Sequence, residues 1–270
     1  MQTPKLVASD VDGTLLDPAE AVTPRTSAAI ARTLAAGTPF VLVSGRPPRW
    51  IPRVARAAGV TGYAVGANGA VLYDIGADRV LHSHTLAPEL LTDLAHALHA
   101  ALPDCRVATE RVGASALALA GREFATEAGY RHPWPGDTVF TASRAEVLGH
   151  PAIKLLVRHA GMTSGELAAA TVDVLGDVVD VTYSSSIGMV ELSPAGVTKG
   201  SGLAEVAELA GVPARDVVAF GDMPNDVPML RWAGHGVAMA NAHPDVLAVA
   251  DEVTGANSED GVAQVLERWF

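Results

Sequence analysis

Short apolar runs that stop abruptly on acidic, glycine or hydroxyl residues alternate with helical segments at both ends of this chain. No other feature restricts the fold as much. Lys5 to Ser9 reads as a buried strand and stops at Asp10. Thr23-Pro24 supplies an N-cap and a first-turn proline, apolar and small residues run on to Ala36, and Gly37 stops that helix. Phe40 to Val43 is a second run and ends at Ser44-Gly45-Arg46. Pro47 and Pro48 open a helix that closes at Gly59, and Tyr63 to Val65 is a third run ending at Gly66-Ala67-Asn68-Gly69. Strand, helix, strand, helix, strand in this order predicts parallel strands joined by right-handed crossovers, an α/β unit.

The alternation returns near the C-terminus. Val217 to Phe220 reads as a strand stopped by Gly221-Asp222, and Val227 to Trp232 as a helix. Gly236 to Met239 is a strand, Val246 to Ala250 a helix, Glu252 to Thr254 a brief strand and Gly261 to Trp269 the last helix. The middle differs. Ala70 to Thr85 alternates like a hairpin with its turn at residues 75–78. Pro88 to Leu102 and Ser164 to Leu175 have helical character, while Ala152 to Val157, Val178 to Tyr183 and Ile187 to Leu192 read as strands. The expectation is an α/β unit over residues 1–82 and 189–270, interrupted by an α+β module over 83–188.

Composition narrows the function classes. The chain has 270 residues, near two domains at about 150 residues each. It is 49% hydrophobic and 18% charged, which suits a folded core and not a disordered chain. A net charge of −11 argues against nucleic acid or an acidic membrane as the main partner. Apolar stretches are interrupted well short of the ~20 residues that span a bilayer, and the start, MQTPKLVASDVDG, has no secretory pattern, so a cytoplasmic location is expected. Cys105 is the single cysteine, which rules out an internal disulfide and a thiolate metal cluster and reads as structural. His82 with His84, and His96 with His99, have spacings that could ligate zinc, but no third ligand stands beside them in sequence; they read as surface or packing residues.

Four blocks carry chemistry. Asp10-Val11-Asp12-Gly13-Thr14 follows the first strand, and strand alternation points Asp10 and Asp12 to one side. Two close carboxylates repel unless a proton or cation lies between them, and a hard oxygen-seeking ion such as Mg²⁺ suits the pair. An EF-hand loop starting at Asp10 would need Glu at its twelfth position, where Ala21 stands. A glycosyltransferase D-x-D would sit inside a nucleotide-binding domain, not at the first strand; a purely structural loop is the third reading. Gly221-Asp222-Met223-Pro224-Asn225-Asp226 again puts acids at a strand end, although Pro-Asn-Asp is also ordinary turn chemistry. Ser44-Gly45-Arg46 could hold a phosphate at a strand-to-helix junction or act as a simple N-cap. Lys199 lies at the start of a helix, where the dipole disfavours a cation unless an anion is near; a solvated lysine is the alternative.

In this order the four blocks resemble the haloacid dehalogenase-like hydrolase superfamily, over essentially the whole chain. Asp10 to Leu15 matches its D-x-D-G-T-L motif, Ser44-Gly45-Arg46 its Ser/Thr motif, Lys199 its lysine motif and residues 221–226 its G-D-x-x-N-D motif. Asn68-Gly69-Ala70, Met239-Ala240-Asn241-Ala242 and Glu259-Asp260-Gly261-Val262 are similar to the Cof-type subgroup, whose cap is inserted between the Ser and Lys motifs. The resemblance implies a Rossmann-like parallel-sheet core with an inserted α+β cap domain. It implies phosphoryl transfer through an aspartyl-phosphate, with Asp10 as nucleophile and Asp12 as general acid and base. It also implies Mg²⁺ held by the Asp10 carboxylate, the Asp12 carbonyl and Asp222. Lys199, Ser44 and Gly45 would stabilise the transferring oxygens, and Asn225 and Asp226 would position the metal shell or Lys199. Asn225 is a candidate phosphate contact; Arg46 and Asn68, at strand ends facing the same cleft, are candidate substrate contacts or structural residues.

The function expected on this basis is a Mg²⁺-dependent phosphatase for a small phosphorylated metabolite, such as a sugar phosphate or a phosphorylated cofactor intermediate. A phosphomutase would need a second phosphate pocket, and a phospho-ligand binding protein without catalysis would be favoured by loss of Asp10 or Asp12, both of which are present. A nicotinamide-dependent dehydrogenase lacks its G-x-G-x-x-G after the first strand. A monomer and a homodimer are both compatible with the sequence.

Overall fold

The computed structural model describes residues 3–132 and 137–270. They fall into two compact units, one built from the chain up to His82 and from Thr198 onward, the other from Ser83–Val197. In chain order the first unit opens with β1 (Leu6–Ser9), α1 (Pro24–Ala35), β2 (Phe40–Val43), α2 (Ile51–Ala58), β3 (Tyr63–Gly66), β4 (Val71–Asp74) and β5 (Arg79–Ser83). The second contains α3 (Pro88–Ala101), β6 (Arg106–Glu110), β7 (Phe124–Glu127), β8 (Phe140–Ala142), α4 (Arg144–Leu148), β9 (Lys154–Arg158), α5 (Ser164–Leu175), β10 (Val179–Thr182) and β11 (Met189–Pro194). The first unit resumes with α6 (Lys199–Leu209), β12 (Val217–Gly221), α7 (Val227–Trp232), β13 (His235–Ala238), α8 (Pro244–Leu247), β14 (Glu252–Val253) and α9 (Gly261–Leu266).

The first unit's sheet has eight strands in the order β14-β13-β12-β1-β2-β3-β4-β5. The pairings from β14 to β3 are parallel and β4 runs antiparallel to β3. β1 lies between β12 and β2, and its four residues are fully buried. A central parallel strand is covered on both faces, so its sequence is a continuous apolar run; burying each Val or Leu there stabilises by roughly 1.5–3 kcal/mol. α1 begins where the sequence places it: the Thr23 hydroxyl accepts from the Thr26 N–H at 3.1 Å, a cap that contributes about 1 kcal/mol. α2 ends at Gly59, whose φ of +71° is the left-handed stop that glycine adopts without strain.

The second unit is a six-stranded sheet in the order β10-β11-β9-β6-β7-β8, antiparallel except for the β7–β8 pair. Its core joins Leu91, Leu94 and Leu98 of α3 and Leu167 of α5 to Val107, Leu155, Val157, Val190 and Leu192 on one face of the sheet. Cys105 is buried in this core, and burial pushes its thiol up to about 11. The α/β core with an inserted α+β unit is the observed architecture. No helix among the described residues is long and apolar enough to cross a membrane.

Three expectations need correction. The chain leaves the second unit at 197/198 and not at 188/189, because β11 pairs with β9 and β10 and completes that sheet. Strands β6, β7 and β8 and helix α4 lie in a stretch, 103–151, to which the sequence pattern assigned no element. Thr109, Glu110, Thr126 and Glu127 interrupt the apolar signal there and are nevertheless buried. Finally, the helix expected at 246–250 begins at Pro244, where the preceding His243 ring accepts from the Asp245 N–H.

Candidate active site

Because β1 pairs with β12 (Ser9↔Phe220) and with β2 (Ser9↔Leu42), the residues just past these three strands emerge together at one edge of the sheet. The strand order reverses direction around β1, and the carboxyl edge at such a switch point is where open α/β sheets bind ligands. Asp10 is fixed there by its N–H to the Phe220 carbonyl at 2.9 Å, and Ser44 by its N–H to the Val65 carbonyl at 2.8 Å.

Lys199 is the first residue of α6, behind a reciprocal cap in which Thr198 and Ser201 bond each other's side chains and N–H groups. Its ammonium is 1% exposed and donates to Asp10 Oδ1 at 2.5 Å and Asp226 Oδ1 at 2.6 Å. Asp226 Oδ2 accepts the N–H groups of Asp222 and Met223, both at 3.0 Å, so both of its oxygens are engaged. Asp222 Oδ1 accepts the Thr14 hydroxyl at 2.8 Å. The loop that carries Asp10 and Asp12 needs glycine at position 13. Its φ is +78°, and a β-carbon there would lie 2.3 Å from Asp222 Oδ2.

The electrostatics are those of a site short of positive charge. Carboxylate oxygens of Asp10, Asp222 and Asp226 lie within 4.8 Å of one another, and the one ammonium among them, that of Lys199, bonds Asp10 and Asp226. Burial, with Asp226 close by, drives Asp10 well above the usual carboxylate range. Burial and Asp226 likewise push Asp222 up to about 7, against the Thr14 hydrogen bond. Burial opposes the charged form of Lys199, but Asp10 and Asp226 outweigh it and hold the ammonium above its ordinary range. A divalent hard cation fits this donor set: the ligands are oxygens, and its charge offsets a surplus of buried negative charge.

Asp12 stands apart from this cluster. Its carboxylate is half exposed and is gripped by the Arg46 fork, Nε to Oδ2 at 2.9 Å and Nη2 to Oδ1 at 2.5 Å. Burial opposes the Arg46 charge, but the Asp12 bonds raise its basicity above the ordinary range. The Ser44 hydroxyl oxygen accepts the Arg46 N–H at 3.0 Å, which leaves its proton to donate elsewhere. Gly45 sits between them, half-buried. Asn68 and Asn225 are buried together, with Asn225 Nδ2 donating to Asn68 Oδ1 at 3.0 Å.

All ten candidate residues therefore lie in the first unit, on loops that follow its strands or at the start of α6. The structure adds residues to which sequence reasoning gave no role. Thr14 holds Asp222, and Asn241 Nδ2 donates to the Gly13 carbonyl at 2.8 Å. Asn257 donates its N–H to Asn241 Oδ1 at 2.9 Å and its Nδ2 to the Leu16 carbonyl at 2.8 Å. Thr14 and Asn241 lay inside motifs already noted; nothing local in the sequence marked Asn257. His82 is engaged by Glu205 of α6 at 3.4 Å.

Residues 7–266 match the family described as haloacid dehalogenase-like hydrolase. The chain is 28% identical over 274 residues to the 5-amino-6-(5-phospho-D-ribitylamino)uracil phosphatase YitU of Bacillus subtilis, covering 99% of this chain and 98% of that one. It is 29% identical over 289 residues to the pyridoxal phosphate phosphatase YbhA of Escherichia coli, with 98% of each covered. A haloacid dehalogenase-like hydrolase from Bacteroides thetaiotaomicron has a similar structure, with a TM-score of 0.77 at 27% identity over 99% and 100% of the two chains. The subclass IIB sugar phosphatase BT4131 shares the fold, with a TM-score of 0.83 at 20% identity over 98% of both. The chain therefore belongs to the haloacid dehalogenase-like hydrolases, in the Cof-type group, and is an enzyme of that family.

Proposed function

We propose that this protein is a Mg²⁺-dependent phosphomonoesterase that hydrolyses a small phosphorylated metabolite through an aspartyl-phosphate on Asp10. The observation that carries the reading is the buried Asp10 carboxylate at a strand end, paired with Lys199 and clustered with Asp222 and Asp226. Asp10 Oδ1 is held by Lys199, so Oδ2 is assigned the attack on phosphorus. As the P–O bond to the leaving group breaks, Asp12, entering this step with a proton taken up from solvent, gives that oxygen the proton. Asp12 then takes a proton from the water that cleaves the acyl phosphate, releasing phosphate and the Asp10 carboxylate.

Lys199, the Ser44 hydroxyl and the Gly45 N–H would steady the transferring oxygens, with Asn225 completing the phosphate-facing set and Asp226 holding Lys199 in place. Asp10, the Asp12 carbonyl and Asp222 would hold the metal. Mg²⁺ would supply the positive charge that lets an anionic nucleophile approach an anionic phosphate. The relatives' named substrates set the panel: pyridoxal phosphate, the ribitylaminouracil phosphate and sugar phosphates. Phosphate release from this panel, with Mg²⁺ or with EDTA, tests the reading; no release from any compound with Mg²⁺ present would overturn it.

The Arg46 fork makes a separate prediction. Arg46→Met leaves Asp12 unanchored, and proton transfer matters most for a poor leaving group. The variant should lose about 100-fold in kcat/KM on an alkyl phosphate but less than about tenfold on p-nitrophenyl phosphate, whose phenolate leaves unaided. An equal loss on both, with raised KM, would instead mark Arg46 as a substrate contact.

The raised Asp222 carboxyl predicts how metal and pH interact. Without metal the folded chain holds a proton on Asp222 up to about pH 7, whereas the unfolded chain releases it near about 4. The metal-free fold therefore loses stability as pH rises through that window, and a divalent cation replaces the missing proton. MgCl₂ should raise Tm more at pH 8 than at pH 5.5 in differential scanning calorimetry. Equal increments at the two pH values would remove this cluster as the metal site.

A further inference from the structure

The loop after β3 has an unusual backbone. Ala67, Asn68 and Gly69 have φ of +52°, +58° and +104° in succession, a run that only glycine and, less readily, asparagine tolerate well. Such a run persists where its surroundings over-determine it. Here three different segments do so, and each carries a residue of the candidate site.

The Ala67 N–H donates to the Arg46 carbonyl at 2.9 Å and the Asn68 N–H to the Ser44 carbonyl at 3.0 Å, which pins the Ser44-Gly45-Arg46 turn from behind. Gly69 is pressed against the cap of α6: a β-carbon there would lie 2.0 Å from the Thr198 carbonyl oxygen, one residue before Lys199. Gly202, one turn further along α6, meets the Gly69 Cα in the same way, at 2.9 Å from its own would-be β-carbon. The Asn68 side chain reaches the third segment, accepting from Asn225 Nδ2 at 3.0 Å. Asn225 Oδ1 is buried and has no hydrogen-bond partner among the described residues. The Asn68 carbonyl oxygen accepts only from the NH₂ end of that amide, so this bond sets which end of Asn225 is left over.

We propose that Asn68 is a positioning residue that acts through Asn225: its side chain fixes the Asn225 amide, and its loop sets the spacing of the three segments bearing Ser44, Lys199 and Asn225. The inference rests on the phosphatase reading for its kinetic consequence and replaces the expected substrate contact at Asn68. Asparagine suits the position because it combines tolerance of the left-handed backbone with an amide acceptor.

The test uses Asn68→Gly, which keeps the backbone freedom and deletes the amide, with Asn225→Ala and the double variant. With p-nitrophenyl phosphate and Mg²⁺, Asn68→Gly should lower kcat about tenfold or more while KM stays within about twofold. The double variant should be no slower than Asn225→Ala alone, since one effect passes through the other. In ¹⁵N spectra the Asn225 side-chain NH₂ should exchange slowly in the wild type and at least about tenfold faster in Asn68→Gly. A raised KM with unchanged kcat, losses that multiply in the double variant, or an Asn225 amide indifferent to Asn68→Gly would each overturn the proposal. If the wild type turns over no phosphomonoester, the phosphatase reading falls, and the amide exchange alone decides the role of Asn68.

Discussion

Asp10→Asn should abolish phosphate release while leaving the fold intact. The amide oxygen can still accept from Lys199, but it cannot form the acyl phosphate. The expected loss is about 10³-fold or more in kcat, at least about 4 kcal/mol of barrier. Stability should move the other way, if at all. Asp10 is one of three crowded carboxylates, and burial with Asp226 nearby makes its charge costly. Removing that charge relieves the cluster, so Tm in metal-free buffer should hold or rise. Malachite-green phosphate assays beside thermal melts read both quantities. Activity retained by Asp10→Asn would remove the covalent mechanism, and a large fall in Tm would show that the lost activity reports unfolding.

Lys199→Met has the opposite signature. Its ammonium is the only cation bonded to Asp10 and Asp226 among the described side-chain contacts, and all three groups are almost fully buried. Breaking a buried pair by deleting one partner leaves the other charge uncompensated, which costs roughly 3–5 kcal/mol. Under the proposed mechanism the same change also removes a donor to the transferring oxygens, for a loss of about 10²–10³ in kcat. Urea denaturation with and without Mg²⁺ separates the two effects. Mg²⁺ should restore part of the stability, since it also neutralises the cluster, and none of the turnover. Full recovery of turnover by Mg²⁺ would mean that Lys199 serves only to balance charge.

Much of the first unit was legible because its strands are buried on both faces. That burial demands unbroken apolar runs, and β1, β2, β3 and β12 begin and end within a residue or so of where the runs do. The loops after them stood out for the complementary reason: acids, a hydroxyl and glycines stop each run at the edge where ligands bind. The second unit was less legible. β6 and β7 bury Thr109, Glu110, Thr126 and Glu127, whose polarity hides the strand pattern. Their partners come from distant positions, as when Glu127 accepts the Val107 N–H at 2.7 Å and Thr109 donates to the Val147 carbonyl at 2.9 Å. β11 was recognisable as a strand of the middle module, but the expected boundary at 188/189 cut through it. Alternation identifies a strand without naming its neighbour, and only its pairing with β9 and β10 places all of it in the second unit.

At the site, the sequence by itself determined which residue types stand at the strand ends and in what order, because that information is local to each loop. The tertiary structure alone decided how those groups share charge. It set Asp226 beside Asp10 and Asp222, bound Lys199 between Asp10 and Asp226, turned the Arg46 fork onto Asp12 and joined Asn68 to Asn225. The hydrogen bonds among them link residues from 27 to 189 positions apart. Hydrogen bonds and charge interactions depend on ångström distances and burial, and neither exists until β1, β2, β12 and α6 have packed together.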